Sequence, residues 1–249
     1  MSEEGGTLDD SSRIFLDGLR DSLAIPAQVA QSLEQSLLAP YLVYEQTFQR
    51  MATQALPLDE KTRTRLKRLG QSQGLSDAAT DLIQQRVLQT QDFLHSAKGV
   101  NYGPLRDLLK AGDWRGADEE TYTTMIRAVG KSHGDYFTTN ELLTFPCADL
   151  HTVDRLWVKY SQGKFGFSVQ KQIYVDCGAK LDGKYPGDQI WYEFCDRVGW
   201  RKDGDYLSYS SLQANPFLSP TGELPVRVGF RGAGRGVWVL FSRTETCKL

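Results

Sequence analysis

Between residues 142 and 170 the chain changes its period, and that change limits what it can fold into. Leu150, Val153, Trp157 and Tyr160 recur at the spacing of one helix face. Gly163 then stops the helix in the manner of a C-cap. Phe165 and Phe167 alternate around Gly166, and Ser168 can cap a new helix. Two large rings beside a residue with no side chain suit a flat partner, and equally suit backbone packed closely on backbone. On physics alone the packing reading is the stronger.

Every Trp and every Cys lies after residue 100, as do 22 of the 27 aromatic residues, whereas the first 100 residues hold 12 Gln. Ser96–Pro104 reads as a linker, so domains are expected over 1–97 and 98–249. The expected fold class is all-α, an N-terminal helical bundle followed by a mainly helical domain with long loops. Ile14, Phe15, Leu19 and Leu23 stripe a first segment; Pro26 opens a second, with Val29, Leu33 and Leu37. A third follows Pro40 with Tyr41, Tyr44, Phe48 and Met51. A fourth carries Leu66 and Leu69 and ends at Gly70, and Ser76 caps a fifth with Ala79, Leu82, Ile83 and Val87. Lys61, Arg63, Arg65, Lys67 and Arg68 read as a solvated helix face, or more sharply as a dock for an acidic partner. In the second half Asp113 caps a stripe of Trp114, Ala117, Met125 and Val129. Asp188 caps another of Trp191, Phe194, Cys195 and Val198, which Gly199 closes. Beyond Gly204 the pattern becomes loop-rich.

Net charge is −2, which argues against nucleic acid as a partner. Glu3, Glu4, Asp9 and Asp10 do not fit a signal or transit peptide, and the apolar run Val237–Phe241 is too short to span a bilayer. A cytoplasmic protein is expected, with peripheral membrane association still open. Cys147, Cys177, Cys195 and Cys247 show no ligand spacing and read as reduced thiols, with a disulfide or a thioether as the lesser reading. His95, His133 and His151 lie too far apart to imply zinc, so no metal site is expected. The Arg231–Gly236 segment lacks the spacing of a phosphate loop. No paired carboxylates or nucleophile arrangement is legible, and catalysis has no support. From Leu224 onward five basic residues, Arg227, Arg231, Arg235, Arg243 and Lys248, stand against Glu245 alone. With Phe217, Leu218, Leu224 and Pro225 they outline an apolar shelf with a cationic border, a fit for a flat ligand bearing carboxylates. The plainer reading is a flexible, solubilising C-terminal stretch.

Four motifs occur in order: Leu108-Leu-Lys-x-Gly-x-Trp114-x-x-Ala-Asp118-x-Glu-Thr121; Phe145-Pro-Cys-x-Asp-Leu continuing into Leu156-Trp-Val-Lys-Tyr-Ser-x-Gly-Lys-Phe-Gly-Phe-Ser-Val-Gln170; Phe194-x-x-x-Val-Gly-Trp200; and Leu218-Ser-Pro-Thr-Gly-Glu-Leu-Pro225. Over about residues 100–243 the chain closely resembles the genomes-uncoupled-four family, tetrapyrrole-binding regulators of magnesium chelatase. The resemblance implies a cupped helical domain that binds protoporphyrin IX and magnesium protoporphyrin IX without catalysis, with the large porphyrin-binding chelatase subunit as partner. It places Phe137 and Leu142 near the apolar wall, Tyr206 and Tyr209 where the family commonly has Trp, and residues 218–225 in a mobile flap. Arg231 and Arg235 correspond to arginines facing the propionates. Three departures are visible: Glu223 stands where His is usual, the arginine pair has one extra residue between its members, and Tyr twice replaces Trp. Glu223 is expected to put a carboxylate near the ligand's acidic tails, weakening porphyrin binding or tuning it to another tetrapyrrole. The N-terminal half departs from the family's usual one and resembles helical segments that precede various cyanobacterial effector domains. The alternative is a helical signalling module that keeps the fold and senses a bilin.

Overall fold

The computed structural model describes residues 6, 9–230 and 236–249. The chain forms two compact units that divide between Phe93 and Leu94. In the first unit α1 spans Asp10–Ser22, α2 Ala27–Gln54, α3 Glu60–Ser72 and α4 Asp77–Thr90. The side chains of Asp9, Asp59 and Ser76 accept from the amides of Ser12, Thr62 and Ala79, which satisfies one otherwise orphaned N–H at the head of each of three helices. Tyr44, Phe48, Leu66, Ile83 and Val87 form the core where α2 meets α3 and α4. Two breaks expected from sequence are absent. The second and third segments are one helix that runs through Pro40. A proline inside a helix costs about 3 kcal/mol, and the burial of Tyr44, Phe48 and Ala52 just beyond it outweighs that cost. Gly70 lies inside α3 and marks a close approach: a Cβ there would sit 2.9 Å from the Thr80 methyl. The basic run of α3 is a solvated face, with Arg63 bonded to Glu60 at 3.0 Å and Lys67 near Asp77 at 3.8 Å. The stripe expected to bury α1 does not do so: Ile14 is 73% and Phe15 70% exposed.

The second unit comprises α5 Gly103–Ala111, α6 Trp114–Ala128, α7 Thr139–Leu143, α8 Cys147–Tyr160, α9 Phe167–Asp176 and α10 Asp188–Arg197. A small antiparallel hairpin follows, β1 Arg201–Lys202 and β2 Asp205–Tyr206, in which Arg201 opposes Tyr206. Then come α11 Arg227–Phe230 and α12 Val237–Thr246. The structure is mainly helical, as expected. Gly112 ends α5 at φ 75°, and Asp113 caps α6 through the Gly116 amide. On α8, Leu150, Val153 and Trp157 are fully buried, and the Trp157 indole N–H donates to Thr121 Oγ1 at 2.9 Å. Phe165 and Phe167 are buried too, so the packing reading holds. Gly166 sits at φ 136°, where a Cβ would come within 2.9 Å of both Asp154 Oδ1 and Val158 Cγ2. Helix α9 begins at Phe167, ahead of the expected cap, because the buried Asp154 carboxylate accepts from the Ser168 amide and does the capping from α8.

The segment read as a linker is fastened to this second unit. The buried Asp149 carboxylate accepts from Ser96 Oγ, from the Ala97 amide at 2.9 Å and from the Tyr102 hydroxyl at 2.9 Å. The cysteine reading needs correction for one pair: Cys147 and Cys247 form a disulfide joining the start of α8 to the end of α12, 100 residues apart in sequence. Their pairing depends on how α12 docks, which no local spacing encodes. Cys177 and Cys195 remain as buried thiols, and burial pushes Cys195 up to about 12. The C-terminus is no loose tail. Helix α12 buries Val237, Val239, Leu240 and Phe241 against α7 and α9.

Candidate functional site

The loop from Tyr209 to Val226 is built in two parts, a fixed base and an exposed tip. Arg115 on α6 donates to the carbonyls of Tyr209 and Leu212 at 2.9 and 2.5 Å. Glu223 is 1% exposed, and its carboxylate accepts from the amides of Gln213 and Ala214 at 3.0 and 2.7 Å and from the Ser219 hydroxyl at 2.6 Å. The Trp200 indole donates to the Glu223 carbonyl at 2.8 Å, and the Gln170 amide to the carbonyls of Gly222 and Pro225 at 2.8 and 2.9 Å. Asp118 closes the far end by accepting from the amides of Val226 and Arg227 at 2.8 and 3.1 Å. Glu223 therefore points inward as a latch. The expectation that it faces a ligand's acidic tails is overturned by these three bonds.

At the tip the Asn215 carbonyl accepts from the amides of Leu218 and Ser219, and the Phe217 amide donates to Asn215 Oδ1 at 2.9 Å. This closed turn holds Phe217 85% and Leu218 70% exposed. Two large apolar side chains held in water by a bonded turn are a standing hydrophobic cost, recovered only when something covers them. Leu224 and Pro225 lie at the buried base and anchor the turn rather than meet solvent. Phe137 and Leu142 are buried as well; Phe137 packs edge-on to Tyr122 at 6.2 Å. Arg231 and Arg235 lie outside the described residues.

In a second feature the sequence had singled out Tyr206 but not the residues around it. Trp191 on α10 and Trp238 on α12 meet at 5.4 Å, and Tyr185 lies 5.0 Å from Trp238. The Trp191 indole donates to the Tyr206 hydroxyl at 3.0 Å, and the Arg201 guanidinium lies over the Tyr192 ring at 4.1 Å. These side chains form a half-exposed aromatic surface across α10, α12 and the hairpin. Trp191 was legible only as a core residue of an amphipathic stripe. The loop base and α10 share a boundary: a Cβ on Gly199 would lie 2.7 Å from the Pro220 ring. Tyr209 sits apart, between Arg227 at 4.1 Å and Arg115 at 5.4 Å, with its hydroxyl pushed up to about 12 by burial. Arg227 also pairs with Glu119 at 2.8 Å. Burial raises Asp118 to about 6, against the lowering effect of its two amide donors. Among the described residues no group of three or more His, Cys, Asp or Glu could hold a metal ion, and no helix is long and apolar enough to cross a membrane.

The GUN4-like family profile matches residues 95–243, a span that takes in the loop, the aromatic surface and the disulfide's first partner. The chain belongs to the GUN4-like family. A Ycf53-like protein of Synechocystis sp. is 31% identical over 143 residues, 56% of each chain. The tetrapyrrole-binding protein, chloroplastic, of Arabidopsis thaliana is 38% identical over 132 residues, 48% of this chain and 46% of that one. The solved GUN4 from Chlamydomonas reinhardtii is 25% identical and covers 64% of this chain and 96% of its own, with a TM-score of 0.48. The chain spans about half the length of the curated relatives it matches. Within the GUN4-like part every element that fixes the loop base, from Asp118 and Gln170 to Trp200, falls inside the matched span.

Proposed function

We propose that the second unit binds a tetrapyrrole, protoporphyrin IX or its magnesium complex, and does no chemistry on it. The observation that carries this reading is the loop tip, where Phe217 and Leu218 are held out in water on a turn whose base is tied down. A flat macrocycle is the ligand whose burial such a tip and an aromatic surface favour. The family membership and the name of the Arabidopsis relative support the same ligand class. Tyr206 and the surface beside it supply apolar contact, and Arg231 and Arg235 take the carboxylates. The family resemblance extends the reading to regulation of magnesium chelatase through its porphyrin-binding subunit.

Covering about 300–400 Å² of macrocycle at roughly 25 cal/mol per Å² contributes about 8–10 kcal/mol, from which association costs of at least about 4 kcal/mol are subtracted. Micromolar or slightly tighter affinity follows. The test is a titration with deuteroporphyrin and with its dimethyl ester, read by absorbance and Trp quenching. Arg231→Ala and Arg235→Ala are expected to weaken the diacid far more than the ester, by about 1.5–3 kcal/mol if partly shielded and less at an exposed rim. Absence of saturable binding to any tetrapyrrole defeats the proposal. Equal, unchanged affinities in both arginine variants would move the site elsewhere. Protein mixed with protoporphyrin and magnesium alone is expected to yield no metallated product.

A further inference from the structure

In the first unit an apolar groove is left uncovered among the described residues. Leu16 and Leu19 on α1 face Ala30, Leu33 and Leu37 on α2 across it, and the Arg13–Glu34 ion pair at 2.8 Å ties the two helices along one side. Leu33 and Leu37 are 56% and 57% exposed, and Phe15, Leu23 and Val29 on the same two helices are exposed as well. Farther along α2 the same stripe continues through Tyr41, Tyr44 and Phe48, where α3 and α4 cover it. Among the described residues its first half is left open.

We propose that a second copy of this chain covers the groove, the two α1–α2 hairpins packing as a four-helix bundle. Length supports this. At about 1.5 Å per residue α1 is about 20 Å long and the open part of α2, residues 27–42, about 24 Å, so two hairpins close on each other without a long overhang. Area supports it as well. Phe15, Leu19, Leu23, Val29, Leu33 and Leu37 each leave roughly 100 Å² in water, on the order of 600 Å² per copy against the ~800 Å² per partner of a stable complex. Charge argues against a membrane surface or a nucleic acid as occupant. Residues 9–43 carry Asp9, Asp10, Asp17, Asp21 and Glu34 against two cations, and both are engaged, Arg13 by Glu34 and Arg20 by Asp17 and Asp21. An anionic bilayer or a nucleic acid finds no free cation there. The exposed stripe itself is uncharged, so an identical stripe matches it, and a two-fold arrangement closes without growing into a filament.

The experiment is sedimentation equilibrium of the full chain, expected to show reversible dimers of the 28.0 kDa protein. The double variant Leu33→Asp/Leu37→Asp is expected to raise the dimer dissociation constant by roughly 100-fold or more, since it places charge at the centre of both copies of the face. Both positions are more than half exposed, so far-UV circular dichroism is expected to stay unchanged. As an independent readout, Val29→Cys is expected to cross-link between copies with a short bismaleimide. A wild-type chain that stays monomeric at about 100 μM overturns the proposal. So does a dimer untouched by the double variant, which puts the interface elsewhere. Cosedimentation of the wild-type chain with phosphatidylglycerol vesicles in place of self-association assigns the groove to lipid and equally overturns it.

Discussion

Asp118 holds the end of the loop by its carboxylate, and it does so with no exposed surface. Burial raises it from 3.8 to about 6, so the folded protein binds its proton more tightly than the unfolded chain. The stability this group contributes is fully present below pH 3.8 and is lost as pH rises through about 6. At about 1.4 kcal/mol per unit, wild-type stability is expected to fall by about 2–3 kcal/mol relative to Asp118→Asn between pH 4 and 7. Chemical denaturation of both proteins across that range checks the sign. Glu223 gives a second prediction, opposite to the one its sequence context suggests. Replacing it with His, the usual family residue, leaves two amides and a hydroxyl without their acceptor, and is expected to cost about 2–4 kcal/mol rather than tighten ligand binding. Thermal unfolding followed by circular dichroism measures it.

Among the elements, the loop tip and α12 make contrasting demands. Phe217→Ser removes a ring that touches solvent, so the melting temperature is expected to hold while porphyrin affinity drops by about 10-fold, consistent with loss of about 1.4 kcal/mol or more of apolar burial. Loss of stability without loss of affinity would show that the tip packs instead of binding. Helix α12 is fastened by its buried face, by the Cys147–Cys247 disulfide and by His151 Nε2 bonded to the Cys247 carbonyl at 2.7 Å. Cys147→Ser removes a cross-link that closes a long loop, and is expected to cost about 2–4 kcal/mol in urea unfolding. The buried Cys177 and Cys195 are not expected to substitute for it.

On the scale of the whole molecule the two units have separate cores, one around Tyr44, Phe48 and Ile83 and the other around Trp157, Phe165 and Phe241. Residues 94–249 expressed alone are therefore expected to fold and to bind deuteroporphyrin within about 3-fold of the full chain, since the ligand reading rests on nothing in the first unit. The same fragment is expected to lose self-association, because the open stripe of α1 and α2 goes with the first unit. Binding that disappears with residues 1–93 would refute that division of roles.

Periodicity in the sequence was enough for the helical class, for the caps at Asp113 and Ser76, and for the buried face of α8, because helix spacing and capping are local properties. The ordered motifs from Leu108 to Pro225 were enough for the family. What local pattern could not decide was which side of each stripe another element would cover. Ile14 and Leu33 read like core and are exposed; Leu224 and Pro225 read like ligand contacts and are buried. Pro40 read as a break, yet packing against α3 and α4 carries the helix through it. Glu223 read as a carboxylate at a ligand's edge, but the chain's return past Gln213 and Ser219 turned it inward. The disulfide and the Trp191–Trp238 surface each join residues that meet only once α12 is docked. Sequence by itself determined which segments are helical and to which family the chain belongs; tertiary structure alone decided which apolar and acidic side chains face inward, because burial depends on what distant segments place beside them.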